Sequence, residues 1–539
     1  MPLRGDRLLR YVVAFCPACH AADPEAPLDG VRRLSGRLAE RDGQVWLERG
    51  CPEHGLQRTL YDEHPEILEW LERWTAATKA HTPDSPGNYD PVPSAYLRGL
   101  GEMQTQHTCI LLADVVEGCN LRCPTCFADS APPPSPERLG AVPVEDVLAA
   151  VDTRLSRENG RLDVVMLSGG EPTLHPELPR LLDELVARPV VRILVNTNGL
   201  TLARDDALLA ALTRHRERVE VYLQWDGSSA AAYVHHRGGD LRAHKVEALR
   251  RLSAHGIFTT LTMTVALDVN DGEIGDVLRV ALDTPYVGGV SIQPVFGSGR
   301  STPIDPLRRL THTGVLARLG EQTGGEVTWR DLTALPCSHP HCCSVGYLIR
   351  DDAGAWRSLV SLIGPDRLRE QLGLVANRIA DDAVPRRLRA AVKESLLGLL
   401  SEQSSLSHPD VGQLWKDVCE NCDLGIATLT KLASSMLPGR HAALRRMLGE
   451  RVVRVTVKPF MDVHTMIEER LTQCCVHVAS RGDGPGEGRD VDQCAPFCAV
   501  QAWPALSRRR LSTAVAAGAR TRLQVQVQVQ AGGALAGSA

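Results

Sequence analysis

The stretch VVEGCNLRCPTCFADS, Val115 to Ser130, sets Cys119, Cys123 and Cys126 directly behind an apolar run that reads as a buried strand. The spacing CxxxCxxC offers three thiolates where a closed cubane would take four. A 4Fe-4S cluster held by Cys119, Cys123 and Cys126 alone therefore keeps one iron open to an exogenous ligand. The loop predicts a cluster that binds a small molecule.

Downstream, LDVVMLSGGEPTLHPELPRLLDELV (162–186) reads as a strand ending at Leu167, a glycine turn, and a helix beginning near Pro176. Gly169 and Gly170 permit close backbone approach. The pattern then repeats. VRILVNTNG, VEVYLQWDG, TTLTMTVAL and GGVSIQPVF are β-rich runs, separated by helical stretches such as DALLAALTRH and LRAHKVEALRRLSAHG. The fold class expected is α/β, a barrel-like sheet with parallel strands around one face. Its chemistry belongs at the C-terminal strand ends, where Asn196, Asn198, Gln224 and Asp226 fall. The alternative for each of these four is that it caps the next helix.

The rest of the composition limits what surrounds the barrel. At 539 residues the chain is long enough for roughly three to four domains. A hydrophobic content of 43% suits a folded chain, and a formal charge of -5 gives no basic field to steer it to nucleic acid. No stretch approaches the roughly 18 apolar residues of a spanning helix, and YVVAFC is shorter than a signal-peptide core, so a cytoplasmic location is expected. In a reducing compartment, sixteen cysteines are read as metal ligands rather than disulfides. Cys109, alone in TCILLADVV, reads as a small buried apolar residue.

Two further cysteine groups flank the barrel. CPAC (Cys16, Cys19) precedes a hairpin turning at Asp42-Gly43, and CPEH (Cys51, His54) follows it. Two knuckles at the end of a hairpin suit one tetrahedral site, either structural zinc or rubredoxin-like mononuclear iron. The distal group comprises Cys337, Cys342, Cys343, Cys419, Cys422, Cys474, Cys475, Cys494 and Cys498. Two auxiliary 4Fe-4S clusters would take eight of these nine. One cluster with a zinc knuckle and loose thiols is the alternative, and His339, His341 and His477 are further candidate ligands or hydrogen-bonding neighbours. The boundaries expected are a rubredoxin-like domain at 1–65, a linker at 66–105, the barrel core at 106–310, an auxiliary iron-sulfur domain with a helical insertion at 311–500, and a low-complexity tail at 501–539 containing QVQVQVQ. The Leu stripes of the helical region 357–450 read first as core. The alternatives are an apolar channel or peripheral contact with a membrane.

The CxxxCxxC loop followed by Gly169-Gly170-Glu171 resembles the radical S-adenosylmethionine (SAM) superfamily. That resemblance implies a partial (β/α)6 TIM-like barrel, that SAM chelates the open iron and that Glu171 accepts a hydrogen bond from the SAM ammonium. It further implies that Asn196, Asn198, Gln224 and Asp226 contact ribose, carboxylate or adenine, that Ile292 packs on adenine, and that Gln293 and Arg300 lie nearby. Thr125 stands where the superfamily usually has an aromatic residue. Within the superfamily, CPAC...CPEHG, SGGEPTLHPEL, LQWDG, PCSHPHC, KPFMDVHTMIEERLTQCCVH and PFC resemble the tetraether lipid synthase family and its bacterial relatives. This implies a mononuclear site before the SAM core and two auxiliary clusters after it. It also implies a hydrophobic lipid substrate coupled carbon to carbon and an electron donor of ferredoxin or flavodoxin type. CENC (Cys419, Cys422) has no counterpart in that scheme. A radical SAM enzyme modifying a peptide or small molecule is the alternative. A zinc-binding scaffold without activity explains the knuckles but not an open three-cysteine loop followed by GGE.

Overall fold

A computed structural model of the chain describes residues 6–24, 32–74, 108–158, 160–301, 304–335, 338–366, 441–479 and 494–503. The ribbon at the start is a four-stranded antiparallel sheet of β1 (Arg7–Phe15), β2 (Arg33–Arg41), β3 (Gln44–Cys51) and β4 (Gly55–Asp62) in that order. Asp42 and Gly43 join β2 to β3 with φ of 53° and 73°. Both central residues have the positive φ that a type I′ turn demands, which an Asp-Gly pair supplies at little cost. A helix at Pro65–Glu72 follows, inside the span expected to be a linker, and buries Ile67, Leu68 and Leu71. Residues 75–105 of that span lie outside the described residues.

The barrel runs from β5 (Ile110–Val116) through β6 (Leu162–Gly169), β7 (Val190–Thr197), β8 (Val219–Gln224), β9 (Thr259–Val265) and β10 (Val287–Pro294), each parallel to the next. Every connection carries a helix, as parallel neighbours require. The helix after β6 spans Leu178–Val186, and its Leu178, Leu181, Leu182 and Leu185 sit on one buried stripe at helical spacing.

The later chain adds β11 (Thr333–Ala334), β12 (Ser344–Arg350), β13 (Trp356–Ser358), β14 (Val452–Val457), β15 (Val476–Ala479) and β16 (Cys494–Pro496) to the same sheet. β14 lies parallel to β10, and β15 lies parallel to β5. The distal segment thus covers both edges of the six-stranded barrel, so neither is left as an open hydrogen-bonding edge. Most of the helical region 357–450 lies outside the described residues, and among those described no helix is long and apolar enough to cross a membrane.

Candidate functional site

Cys119, Cys123 and Cys126 all line one cavity of about 150 Å³ at the C-terminal strand ends, bounded also by Gly169, Gly170, Glu171, Asn196, Asn198 and Gln224. Cys119 and Cys123 are buried, and burial pushes the Cys119 thiol up to about 12. A metal-free thiol there holds its proton, and ligation would release it. The loop is clamped from outside by Arg300. Its Nε donates to the Cys123 carbonyl at 2.8 Å, Nη2 to the Ser130 carbonyl at 2.6 Å, and Nη1 to Asp129 at 2.6 Å. Gly299, at φ 54°, lets this segment lie against the loop backbone, because a Cβ there would stand 2.4 Å from the Cys126 oxygen. Arg300 therefore shapes the cluster loop and is absent from the cavity wall.

The two glycines of GGE meet the strand end that carries the loop. Gly170 N donates to the Val116 oxygen at 2.7 Å and Glu171 N to the Gly118 oxygen at 3.0 Å. Glu171 is 1% exposed, and its carboxylate accepts from Thr173 N and Oγ1, Thr197 Oγ1 and Asn198 N at 3.1, 2.6, 2.6 and 2.8 Å. In this state it straps the end of β6 to the end of β7. Asn198 Nδ2 donates to Asn120 Oδ1 at 2.6 Å and lies 3.9 Å from Cys119 Sγ.

The polar strand-end residues form one chain. Gln224 Nε2 donates to Asn196 Oδ1 at 2.9 Å, and Arg237 Nη2 donates to Gln224 Oε1 at 2.9 Å. Asp226 is fully buried and grips Arg237 through two hydrogen bonds of 2.6 and 2.7 Å. Burial opposes ionisation of Asp226, but Arg237 beside it holds the carboxyl below its usual range. Asp226 thus reaches the cavity through Arg237, which lines it and lies close enough to Cys123 to interact electrostatically. Ile292 is fully buried in β10 and is not part of the cavity wall. Thr125 bonds His236 Nδ1 through its hydroxyl at 3.0 Å. Burial lowers His236 to about 4, so the ring is neutral. A hydroxyl–imidazole bond holds the loop where the superfamily usually places a ring.

Four phenylalanines close the other side. Phe127, Phe296, Phe460 and Phe497 all line the cavity, with ring centroids 4.6 Å apart for Phe460–Phe497 and 5.7 Å for Phe127–Phe497. Sequence reading missed this cluster and Arg237. The rings come from four distant segments, and Arg237 follows two histidines at a helix end with no periodic signal.

In the ribbon, Cys16, Cys19, Cys51 and His54 bring their ligand atoms within 4.8 Å of one another. Cys19 and Cys51 sulfurs stand 3.7 Å apart, and His54 Nδ1 lies 3.6, 3.4 and 3.5 Å from the sulfurs of Cys16, Cys19 and Cys51. A tetrahedral ion with metal–sulfur bonds of about 2.3 Å has edges of about 3.8 Å, so the set fits one ion. Burial works against ionisation of Cys51, yet hydrogen bonds from His54 and nearby amides hold its thiol at about 6. The thiols of the barrel loop do not converge so tightly, as suits a cube of four irons rather than one ion.

Of the distal cysteines, Cys342, Cys474 and Cys498 lie close enough to influence one another electrostatically. Arg470 Nε donates to Cys342 Sγ at 3.3 Å, and Met461 N to Cys498 Sγ at 3.3 Å. Burial pushes Cys498 up to about 12, and Cys474 also upward. Cys343 points its thiol to the Ser344 oxygen at 3.5 Å. Buried Cys475 has its carbonyl bonded to the amides of Cys109 and Ile110 at 2.9 and 3.1 Å. Cys494 begins β16. Cys337, Cys419 and Cys422 lie outside the described residues.

Fold, loop and cavity define a radical SAM enzyme, and comparison with known families agrees. Residues 114–281 match the Radical SAM superfamily, and residues 8–63 match the HMPTM N-terminal zinc ribbon domain. The chain is similar to a 7,8-dihydro-6-hydroxymethylpterin dimethyltransferase of Methanocaldococcus jannaschii, at 25% identity over 91% of this chain and 92% of that protein. It is also similar to the mycofactocin maturase MftC of Mycobacterium ulcerans, at 27% identity over 35% of this chain and 48% of that protein. Among solved structures, Streptococcus suis SuiB bound to S-adenosylmethionine overlaps 42% of this chain and 49% of its own, with 15% identity and a TM-score of 0.35. The superfamily domain implies a 4Fe-4S cluster and SAM, the three cysteines Cys119, Cys123 and Cys126 line one cavity where such a group could be held, and the ribbon set suits a metal ion.

Proposed function

We propose that the enzyme activates a C–H bond of a substrate held in the barrel cavity and forms a carbon–carbon bond there, the finer reading being the coupling of lipid hydrocarbon chains. The observation that carries this is the cavity itself, with cluster thiols on one side and the four phenylalanines on the other. An open-iron cluster with SAM, when bound, supplies a 5′-deoxyadenosyl radical. The residues of the chain do the rest. Arg237, oriented by Asp226, is placed for the SAM carboxylate, Asn196, Asn198 and Gln224 offer polar contacts, and the phenylalanine rings exclude water from a reactive carbon. Cys342, Cys474 and Cys498 are the core of an auxiliary site, and a ferredoxin- or flavodoxin-type protein is the electron donor.

A second reading is favoured by the full-length likeness to a pterin dimethyltransferase, in which the substrate is a small heteroatom-rich molecule. Mass spectrometry of lipids from cells with and without the gene separates the two. A gene-dependent lipid of roughly doubled mass with two fewer hydrogens supports coupling. An unchanged lipid profile, with 5′-deoxyadenosine still formed by the reconstituted enzyme, moves the assignment to a small molecule.

A further inference from the structure

The same cavity holds a group of polar side chains that no step above uses. Lys458, the residue after β14, is 8% exposed, and its ammonium donates to Tyr222 Oη at 3.1 Å. Among the described residues no carboxylate lies within 4.0 Å of that ammonium, and Tyr222 is its one hydrogen-bond partner. Thr262, 1% exposed, has a hydroxyl with no hydrogen-bond partner among the described residues. Lys458, Tyr222 and Thr262 all face the cavity.

An ammonium in a buried site without a counter-charge is costly, and so is a buried hydroxyl without a bond. The set has donors to spare: two N–H of Lys458, the O–H of Tyr222 and the O–H of Thr262. We infer that Lys458, Tyr222 and Thr262 form an anion-binding subsite in the barrel lumen that takes a carboxylate or phosphate group of the substrate. Thr262 pairs with Gln224 across β8 and β9, and Tyr222 stands one pair further down the strand, about 7 Å deeper, opposite Thr260. The substrate class is then amphipathic, with an acid group in the lumen and an apolar portion against the phenylalanines. The inference rests on reading the cavity as the substrate chamber.

The test uses the full-length holoenzyme, reconstituted with iron and sulfide, with octanoate and octanol as matched probes of SAM cleavage. Octanoate is expected to alter the rate of 5′-deoxyadenosine formation at a concentration about 10-fold or more below octanol, the worth of one charge-assisted hydrogen bond. Lys458→Met should erase that preference and leave SAM affinity within about twofold. Thr262→Val, which preserves shape, should shrink the preference and keeps the test open if Lys458→Met misfolds. Loss of SAM affinity in Lys458→Met with the octanoate preference intact would assign the cation to the SAM carboxylate and overturn the inference. Equal action of octanoate and octanol on the parent enzyme would overturn it too. Absence of SAM cleavage in the parent would instead strike the chamber reading beneath it.

Discussion

Gly170→Ala tests whether the GGE turn works by backbone contact with the cluster loop. A Cβ at Gly170 would stand 2.1 Å from the Gly118 oxygen and 2.6 Å from the Glu117 oxygen, where real Cβ atoms essentially never come within 3.0 Å, so the contact must open by about 0.9 Å. Both neighbours are backbone atoms, and no side-chain rotation relieves the clash. Overpacking of this kind costs about 1–3 kcal/mol. Opening the contact also strains the bonds from Gly170 N to Val116 and from Glu171 N to Gly118, each worth about 1 kcal/mol. The expected loss is about 3–5 kcal/mol, localised one residue before Cys119. Gly272→Ala is the control, because a Cβ there has nothing within 4 Å. Reconstituted Gly170→Ala should hold less barrel iron, with weaker iron–sulfur absorbance and little 5′-deoxyadenosine, while Gly272→Ala matches the parent. A Gly170→Ala protein with parental iron content and SAM cleavage would refute the reasoning.

Cys123→Ala removes one of three ligands to the proposed open cluster. It should abolish 5′-deoxyadenosine formation with the ribbon metal retained, as read by metal analysis and chromatography. The Cys16→Ser, Cys19→Ser double variant should lose about one metal ion per chain and melt at lower temperature, while equilibrium dialysis finds SAM affinity unchanged. Asp462, which is buried and paired with Arg309 at 2.8 Å, is held at about 2, with burial opposing and Arg309 prevailing. Because its folded value lies below the ordinary carboxylate value, its stabilisation is complete above pH 5 or so and drains away as pH falls from about 4 to about 2. Linkage puts that at about 2 kcal/mol, which should vanish from the acid limb of the denaturation profile in Asp462→Asn.

Much of the barrel was legible because its signals are local. The apolar runs of β6 to β10 recur with helices between them, so strand positions follow from pattern within a residue or two. The ribbon hairpin was legible from Asp42-Gly43, since few other residue pairs adopt two positive φ values in succession. The convergence of Cys16, Cys19, Cys51 and His54 follows from the same hairpin. Long-range pairings were hidden. VVRVTV and VHVA are ordinary β-rich runs, and nothing in them says that they pair in parallel with β10 and β5. The partners of site residues were hidden for the same reason. Asp226 is visible at a strand end, but its bond to Arg237 depends on where the following helix ends. Thr125 looked only like a missing ring until His236 was found beside it.

The distal chain does more than flank the core, because it builds part of the chamber. Lys458 and Phe460 leave the end of β14, Val476 begins β15, and Phe497 opens the last described helix, and all four face the cavity. The ribbon grips this same segment. Arg49 donates to the His464 carbonyl at 2.7 Å, Ala14 bridges to Ile467, and Val13 N donates to Glu469 at 3.2 Å. His20, next to the metal-site residue Cys19, bonds the Ala502 carbonyl at 2.6 Å, and its ring lies 5.6 Å from that of Trp503. A closed metal site offers no position for substrate, but an ion held by Cys19 would steady the short helix Pro17–Ala22, whose His20 bonds the end of the helix that presents Phe497 and Cys498. Through these contacts the ribbon braces the segment that forms one wall of the cavity.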